Sequence, residues 1–187
     1  MKKSRLFPGG PLKNGAVRQA TSGGLFVCGD LDIRIDPVGV WYYHGSPIGR
    51  KELVCLFSSL LSMDEDGAYW LITPSEKGRI QVDDAPFMAV ELFSASSGRD
   101  RRLSFRTNVD EIIHVDLDHP IHVVTNPETG EPSPYVTVRD RMRAKIVRPV
   151  YYELVDMGLE ETFDNEKVYG VWSSGEFFPI GTMDPDG

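Results

Sequence analysis

Cysteine is scarce in this 187-residue chain: Cys28 and Cys55 are the only two, and no CxxC pair occurs. That scarcity excludes a disulfide-stapled scaffold and a cysteine-based structural zinc site. Long apolar runs are missing as well. The longest, Leu53 to Leu61, is interrupted by Ser58 and Ser59 and is too short to span a bilayer. Lys2, Lys3 and Arg5 look like the start of a signal peptide, but Phe7-Pro8-Gly9-Gly10-Pro11 stands where its apolar region should follow. A soluble, cytoplasmic protein is the expectation. No GxxxxGK phosphate loop, GxGxxG fingerprint or GxSxG elbow is present. Asp64-Glu65-Asp66-Gly67 lacks the alternating oxygen ligands of a calcium loop.

An excess of positive charge is also absent. The net charge is −8, and all of it belongs to the end of the chain. Residues 1–152 balance 19 Lys and Arg against 19 Asp and Glu, while residues 153–187 set Lys167 against nine acids. Bulk charge therefore argues against a non-specific nucleic-acid coat, which must neutralise phosphates. Cations do cluster locally. Arg99, Arg101, Arg102 and Arg106 form one group; Arg139, Arg141, Arg143, Lys145 and Arg148 form another. Facing each other they would make a focal anion site. Pairing with the acidic C-terminal segment is the competing account.

What the chain does have is strand periodicity. Leu31, Ile33 and Ile35 alternate with Asp32, Arg34 and Asp36, the period of a half-buried strand. Val38 to Tyr43 is a second β-rich run, closed by His44-Gly45 as a hairpin turn. Leu53, Leu56, Phe57, Leu60 and Met63 predict a helix from Arg50 to Met63, with Gly49 or Ser46 as its cap. Further strands are predicted at 69–73, 79–82, 87–93, 103–107, 111–115, 122–125, 135–139 and 143–147. Arg148-Pro149 opens a second helix that Gly158 should cap, and a hairpin of 168–172 with 177–180 follows.

The pattern predicts an α+β fold of two small β-rich lobes, each with a helix, related by internal duplication. Gly39-Val40-Trp41 leading to Pro47-Ile48-Gly49 is echoed by Gly170-Val171-Trp172 leading to Pro179-Ile180-Gly181. A weaker echo joins Tyr69-Trp70-Leu71 and Arg79-Ile80 to Tyr135-Val136-Thr137 and Lys145-Ile146. The expected divisions are an N-terminal arm over 1–24, a first lobe over 25–95 and a second over 96–187, joined near 94–100. Lobes this small should pack on each other.

Catalytic signals are weak. His114, Asp116 and Asp118 would share one face of a strand, as in a two-histidine, one-carboxylate iron site, but a proline turn separates His119 from His122. The aromatics offer more. Trp41, Tyr42-Tyr43, Tyr151-Tyr152, Trp172 and Phe177-Phe178 have flat faces that suit either a core or a pocket stacking a planar anion.

Several runs carry a family resemblance. They include Cys28-Gly29-Asp30-Leu31-Asp32-Ile33-Arg34-Ile35, Gly45-Ser46-Pro47-Ile48-Gly49-Arg50, Thr73-Pro74-Ser75-Glu76-Lys77 and Val82-Asp83-Asp84-Ala85-Pro86-Phe87. Phe105-Arg106-Thr107-Asn108, His119-Pro120-Ile121, Gly130-Glu131-Pro132-Ser133-Pro134-Tyr135 and Phe177-Phe178-Pro179-Ile180-Gly181 complete the set. Together they resemble a mainly proteobacterial family, domain of unknown function 1285, over residues 28–181. The resemblance implies a duplicated two-lobed α+β fold whose C-terminal lobe is superficially similar to pleckstrin-homology barrels. It also implies a ligand or nucleic-acid site between the lobes and a role in signalling.

The leading functional expectation is a non-enzymatic module whose inter-lobe cleft binds an anionic small molecule, nucleotide-like or otherwise phosphate-bearing. Arg106, Asn108, Arg139 and Arg148 are the expected anion contacts, Tyr151 and Trp172 the aromatic walls, and Glu76 with Lys77 an orienting pair. No cofactor or metal is implied. The alternatives are a protein-interaction module using a sheet edge or the acidic C-terminal hairpin, and a small metal-dependent enzyme using His114, Asp116 and His119.

Overall fold

The computed structural model describes residues 19–20, 26–163 and 166–181. The expected arm over 1–24 lies outside these, save residues 19–20, as does 182–187. The first sheet gathers β1 (Gln19–Ala20), β2 (Phe26–Ile35), β3 (Trp41–Tyr43), β4 (Ser46–Pro47), β5 (Leu61–Met63), β6 (Tyr69–Ile72) and β7 (Glu76–Val82). Its order is β4-β3-β2-β7-β6-β5, with β1 pairing to β2. Helix α1 (Lys51–Ser59) lies between β4 and β5 in sequence. Alternation places Ile33, Ile35 and Ile80 on the buried face, beside Trp41 and Leu71.

The second sheet holds β8 (Phe87–Ala95), β9 (Arg102–Thr107), β10 (Ile112–His114), β11 (Ile121–Thr125), β12 (Pro132–Arg139) and β13 (Met142–Ile146). Its order, β10-β9-β8-β13-β12-β11, repeats the first sheet strand for strand. In each sheet one central pair is parallel, β2 with β7 and β8 with β13, and its neighbours are antiparallel. The chain is thus a two-lobed α+β protein with internal duplication. The weaker echo, β6–β7 against β12–β13, falls on equivalent strands. The stronger one does not: Gly39 precedes β3, whereas Gly170 lies within β15 (Glu166–Ser173) of a separate three-stranded sheet. Both of its hairpins turn on two left-handed residues, His44-Gly45 and Ser174-Gly175, and this shared turn chemistry accounts for the likeness.

The sheets part at residues 83–86 rather than at 94–100. Phe87 to Ala95 is a single strand committed to β9 and β13, and Gly98–Asp100 is only a short 3-10 turn between β8 and β9. Helix α1 is shorter than its apolar spacing predicts. The Ser58 and Ser59 hydroxyls donate back to the carbonyls of Cys55 (2.8 Å) and Leu56 (2.7 Å), and Leu61–Met63 pairs with β6 instead. Arg50 stands at the cap position, with no side-chain cap bond.

After β13, α2 (Arg148–Asp156) carries Val150 and Leu154 into the core, and β14 (Leu159–Phe163), β15 and β16 (Glu176–Gly181) form the third sheet. The acidic strand β14 went unpredicted. Gly158 is not a left-handed cap; Met157 caps α2, and a Cβ at Gly158 would sit 2.5 Å from the Tyr169 ring. No helix among the described residues is long and apolar enough to cross a membrane.

The lobes meet along α1. Lys51 pairs with Asp110 at 2.6 Å, the Cys55 thiol donates to the Val109 carbonyl at 3.7 Å, and the Arg139 guanidinium donates to the Ser58 carbonyl at 2.7 Å while holding Glu111. Arg139 sits on the second lobe yet serves the last turn of a first-lobe helix that has no basic residue of its own there. Arg139→Met should lower stability by about 1.5–3 kcal/mol, the range for hydrogen bonds to charged groups. Lys51→Met, which removes an exposed pair, should cost less than about 1 kcal/mol. Urea unfolding of both variants checks the contrast; equal losses would deny Arg139 its special place.

Candidate functional site

Strand β13 explains where charge collects. Met142, Ala144 and Ile146 are buried, so Arg143 and Lys145 must project from the opposite face. Tyr135 and Thr137 of β12 pair with Lys145 and Arg143, and His122 of β11 pairs with Tyr135. The β12–β13 turn adds Arg141, which adopts φ +64° after Asp140 at +45°. Non-glycine residues rarely take that conformation, so an arginine here is conspicuous. Arg141 reaches the first lobe, donating to the Asp64 carbonyl at 2.9 Å.

Beside these side chains lies a hollow of about 550 Å³, lined by Asp118, His119, His122, Thr137, Arg139, Asp140, Arg141 and Arg143. Its arginines differ in how they are held. Arg139 is bound to Glu111. Arg141 has only a carbonyl, and Arg143 lies over the Tyr135 ring at 4.3 Å. Among the described residues neither Arg141 nor Arg143 has a carboxylate in ion-pair contact, and His122 has no hydrogen-bond partner. His119 is oriented by Asp116, whose Oδ1 lies 2.9 Å from its Nδ1 and also accepts the amides of Asp118 and His119.

A latch bounds this face where the lobes join. Asp84 accepts the Tyr135 hydroxyl at 2.9 Å and the Lys145 ammonium at 2.7 Å. The bond to Asp84 is the main cause that raises Lys145 above the ordinary lysine range. Burial, helped by Asp84, raises Tyr135. Beyond Lys145 a second hollow of about 370 Å³ opens, lined by Glu131, Pro132, Ser133, Pro134, Lys145, Ile146, Arg148, Tyr151 and Tyr152.

Of the residues predicted for the site, Arg139 lines the first hollow, and Arg148 and Tyr151 line the second. Arg148 pairs with Glu131, and the Tyr151 hydroxyl donates to the Ile180 carbonyl at 2.8 Å. Arg106, Asn108, Trp172, Glu76 and Lys77 line neither hollow. Arg106 is tied to Glu91 (2.6 Å) and Asp110 (3.1 Å). Asn108 bridges the lobes, accepting the Met88 amide at 3.0 Å and donating to the Gly39 carbonyl at 3.3 Å. The Trp172 indole donates to Glu161 at 3.0 Å with Arg99 over its ring at 4.7 Å. Glu76 is buried and accepts the Cys28 thiol at 3.5 Å; Lys77 covers the Trp70 ring at 4.7 Å.

His114 stands 2.8 Å from the Ser104 hydroxyl, away from the His119–Asp116 pair, and no group of three metal-ligating side chains occurs among the described residues. A hollow of about 770 Å³, larger than either of those above, lies on the first sheet. Its charges are matched in pairs, Asp30 with Arg79, Arg34 with Asp83 and Asp32 with His44. Arg141, Arg143 and Lys145 belong to the second basic cluster of the sequence but are not among the expected contacts, and neither are Tyr135 and His122. The alternation of basic and apolar residues from Arg141 to Ile146 is the signal that puts the three cations on one face.

A family model described as "Domain of unknown function (DUF1285), N-terminal domain" matches residues 26–85. A second, "Protein of unknown function (DUF1285), C-terminal domain", matches residues 86–180. The two matches meet beside Asp84. A DUF1285 family protein from Silicibacter pomeroyi DSS-3 is similar in structure, with a TM-score of 0.77 and 44% identity over 84% of this chain and 83% of that one. One from Shewanella baltica OS155 has a TM-score of 0.54 and 27% identity over 68% of this chain and 92% of that one. No curated protein matches.

The latch carries a pH signature. Because Lys145 binds its proton more tightly when folded, its contribution is whole below the unfolded value of about 10.4 and is lost as pH rises through the raised folded value. Lys145→Met should therefore lower stability by roughly 1 kcal/mol near neutral pH, and by less in strongly alkaline solution. Urea unfolding of both proteins across that range checks this, and a pH-independent difference would contradict it.

Proposed function

This chain belongs to the DUF1285 family, and from the charged face of β12 and β13 we propose that it is a binding module for an anionic, phosphate-bearing small molecule. The ligand sits in the 550 Å³ hollow at the margin of the lobe–lobe seam. The observation that carries this reading is that, among the described residues, Arg141 and Arg143 have no carboxylate in ion-pair contact, whereas Arg106, Arg139 and Arg148 do. A guanidinium held ready without a carboxylate can receive two phosphate oxygens at once. Thr137 and the imidazoles of His119 and His122 add donors around the same space. The volume falls within the ordinary range for small-molecule sites.

Lys145 and Tyr135, beside the hollow, are both held above their ordinary values, away from the neutral range that a general base needs. A signalling role would use this site as a receptor, with the ligand touching Arg139 and Arg141, two residues that also bond the first lobe.

Arg143→Ala should weaken binding of inorganic pyrophosphate or 5′-AMP by roughly tenfold to a hundredfold. Its melting temperature should barely move, since Arg143 has no carboxylate in ion-pair contact among the described residues and its cation–π contact with Tyr135 is worth about 0.5–1 kcal/mol. Titration calorimetry with scanning calorimetry tests both. Unchanged binding would sink the reading, as would failure of the unsubstituted protein to bind either probe.

A further inference from the structure

We infer that the ligand carries two phosphates joined through a nucleoside, and that it uses both hollows of the second lobe at once; this rests on the anion-binding reading above. The two hollows are neighbours along β13. Arg143 lines one and Lys145 the other, and these residues lie two apart on the same face, about 6–7 Å along the strand. A ligand anchored at Arg143 and extending along β13 therefore passes the Tyr135 edge and arrives between Lys145 and Arg148.

The second hollow is built to exchange partners cheaply. Arg148 and Glu131 pair at the surface, with 69% and 58% of their side chains exposed, and such pairs contribute little. A phosphate can take Arg148 from Glu131 at small cost. Lys145 stays paired with Asp84, so its charge is compensated and Arg148 is the cation that meets the second phosphate.

Aromatic rings decide the chemistry between the phosphates. Tyr152 is 58% exposed at this rim, and Tyr151 beside it is fixed by its bond to the Ile180 carbonyl. An exposed ring beside two cations offers a stacking surface for a base. A bare oligophosphate would gain nothing from it. A linear dinucleotide and a stretch of single-stranded RNA present the same phosphate–nucleoside–phosphate unit.

The test compares 5′-AMP, the dinucleotide pApA, tripolyphosphate and an RNA strand of about ten nucleotides by titration calorimetry. The dinucleotide should bind roughly tenfold tighter than AMP, as two linked contacts do. Arg148→Ala, at an exposed position, should erase that advantage and leave binding of AMP, which lacks the second phosphate, unchanged; Tyr152→Ala should weaken both nucleotides and leave tripolyphosphate unaffected. Arg143→Ala should weaken both ligands. Further tightening by the RNA strand, with a steeper salt dependence, would identify RNA as the source, and equal affinity would identify the free dinucleotide. The inference is overturned if pApA binds no better than AMP, if tripolyphosphate matches pApA, or if the advantage survives Arg148→Ala. Should neither AMP nor pApA bind, the underlying anion site itself is refuted.

Discussion

A helix that ends without a cation of its own is the constraint on which the arrangement of this molecule turns. The final carbonyls of any α-helix lack partners within it. In α1 one of them, on Ser58, is met by a guanidinium from the other lobe. The same Arg139 is anchored by Glu111 and lies 5.0 Å from the centre of the Phe87 ring. A single side chain thus joins the end of α1, the turn before β10 and the first residue of the second sheet. The faces of the two lobes are positioned by that junction, and the charged hollow lies at its edge.

Positive charge in this protein comes in two kinds. One kind is consumed by architecture: Arg34, Arg79, Arg106 and Arg139 each hold a carboxylate. The other is held by softer partners, a carbonyl for Arg141 and an aromatic ring for Arg143. Net charge cannot distinguish them. A chain of −8 can keep a locally basic face because its excess acid is concentrated in residues 153–187, while its first 152 residues are balanced.

Much of the fold could be read from the chain, for reasons that differ by element. Strands β2, β7 and β13 announce themselves because alternation is a local property, and Pro149 marks the start of α2. Strand β14 was illegible, since Leu-Glu-Glu-Thr-Phe becomes a strand only when β15 is beside it. Leu60 and Met63 continued a helical spacing, yet β6 captured Leu61–Met63. The duplication was visible, but its louder signal came from two similar hairpin turns rather than from equivalent strands. Among the site residues, Arg139 could be anticipated from the charge cluster. Whether a given arginine is neutralised depends on carboxylates distant in sequence, such as Glu91 for Arg106, and no local pattern encodes that.

The central parallel pairs also dictate an order of assembly. Strands β2 and β7 are far apart in the chain, with α1 and the β5–β6 hairpin between them, so closing the middle of each sheet carries the entropy cost of a long loop. During synthesis the first sheet has all its strands once Val82 has emerged, but the Ser58 carbonyl must wait for Arg139. Until then the nascent first half exposes the flank of α1 that the second half later covers. A half-made chain therefore carries that flank uncovered until its own duplicate arrives.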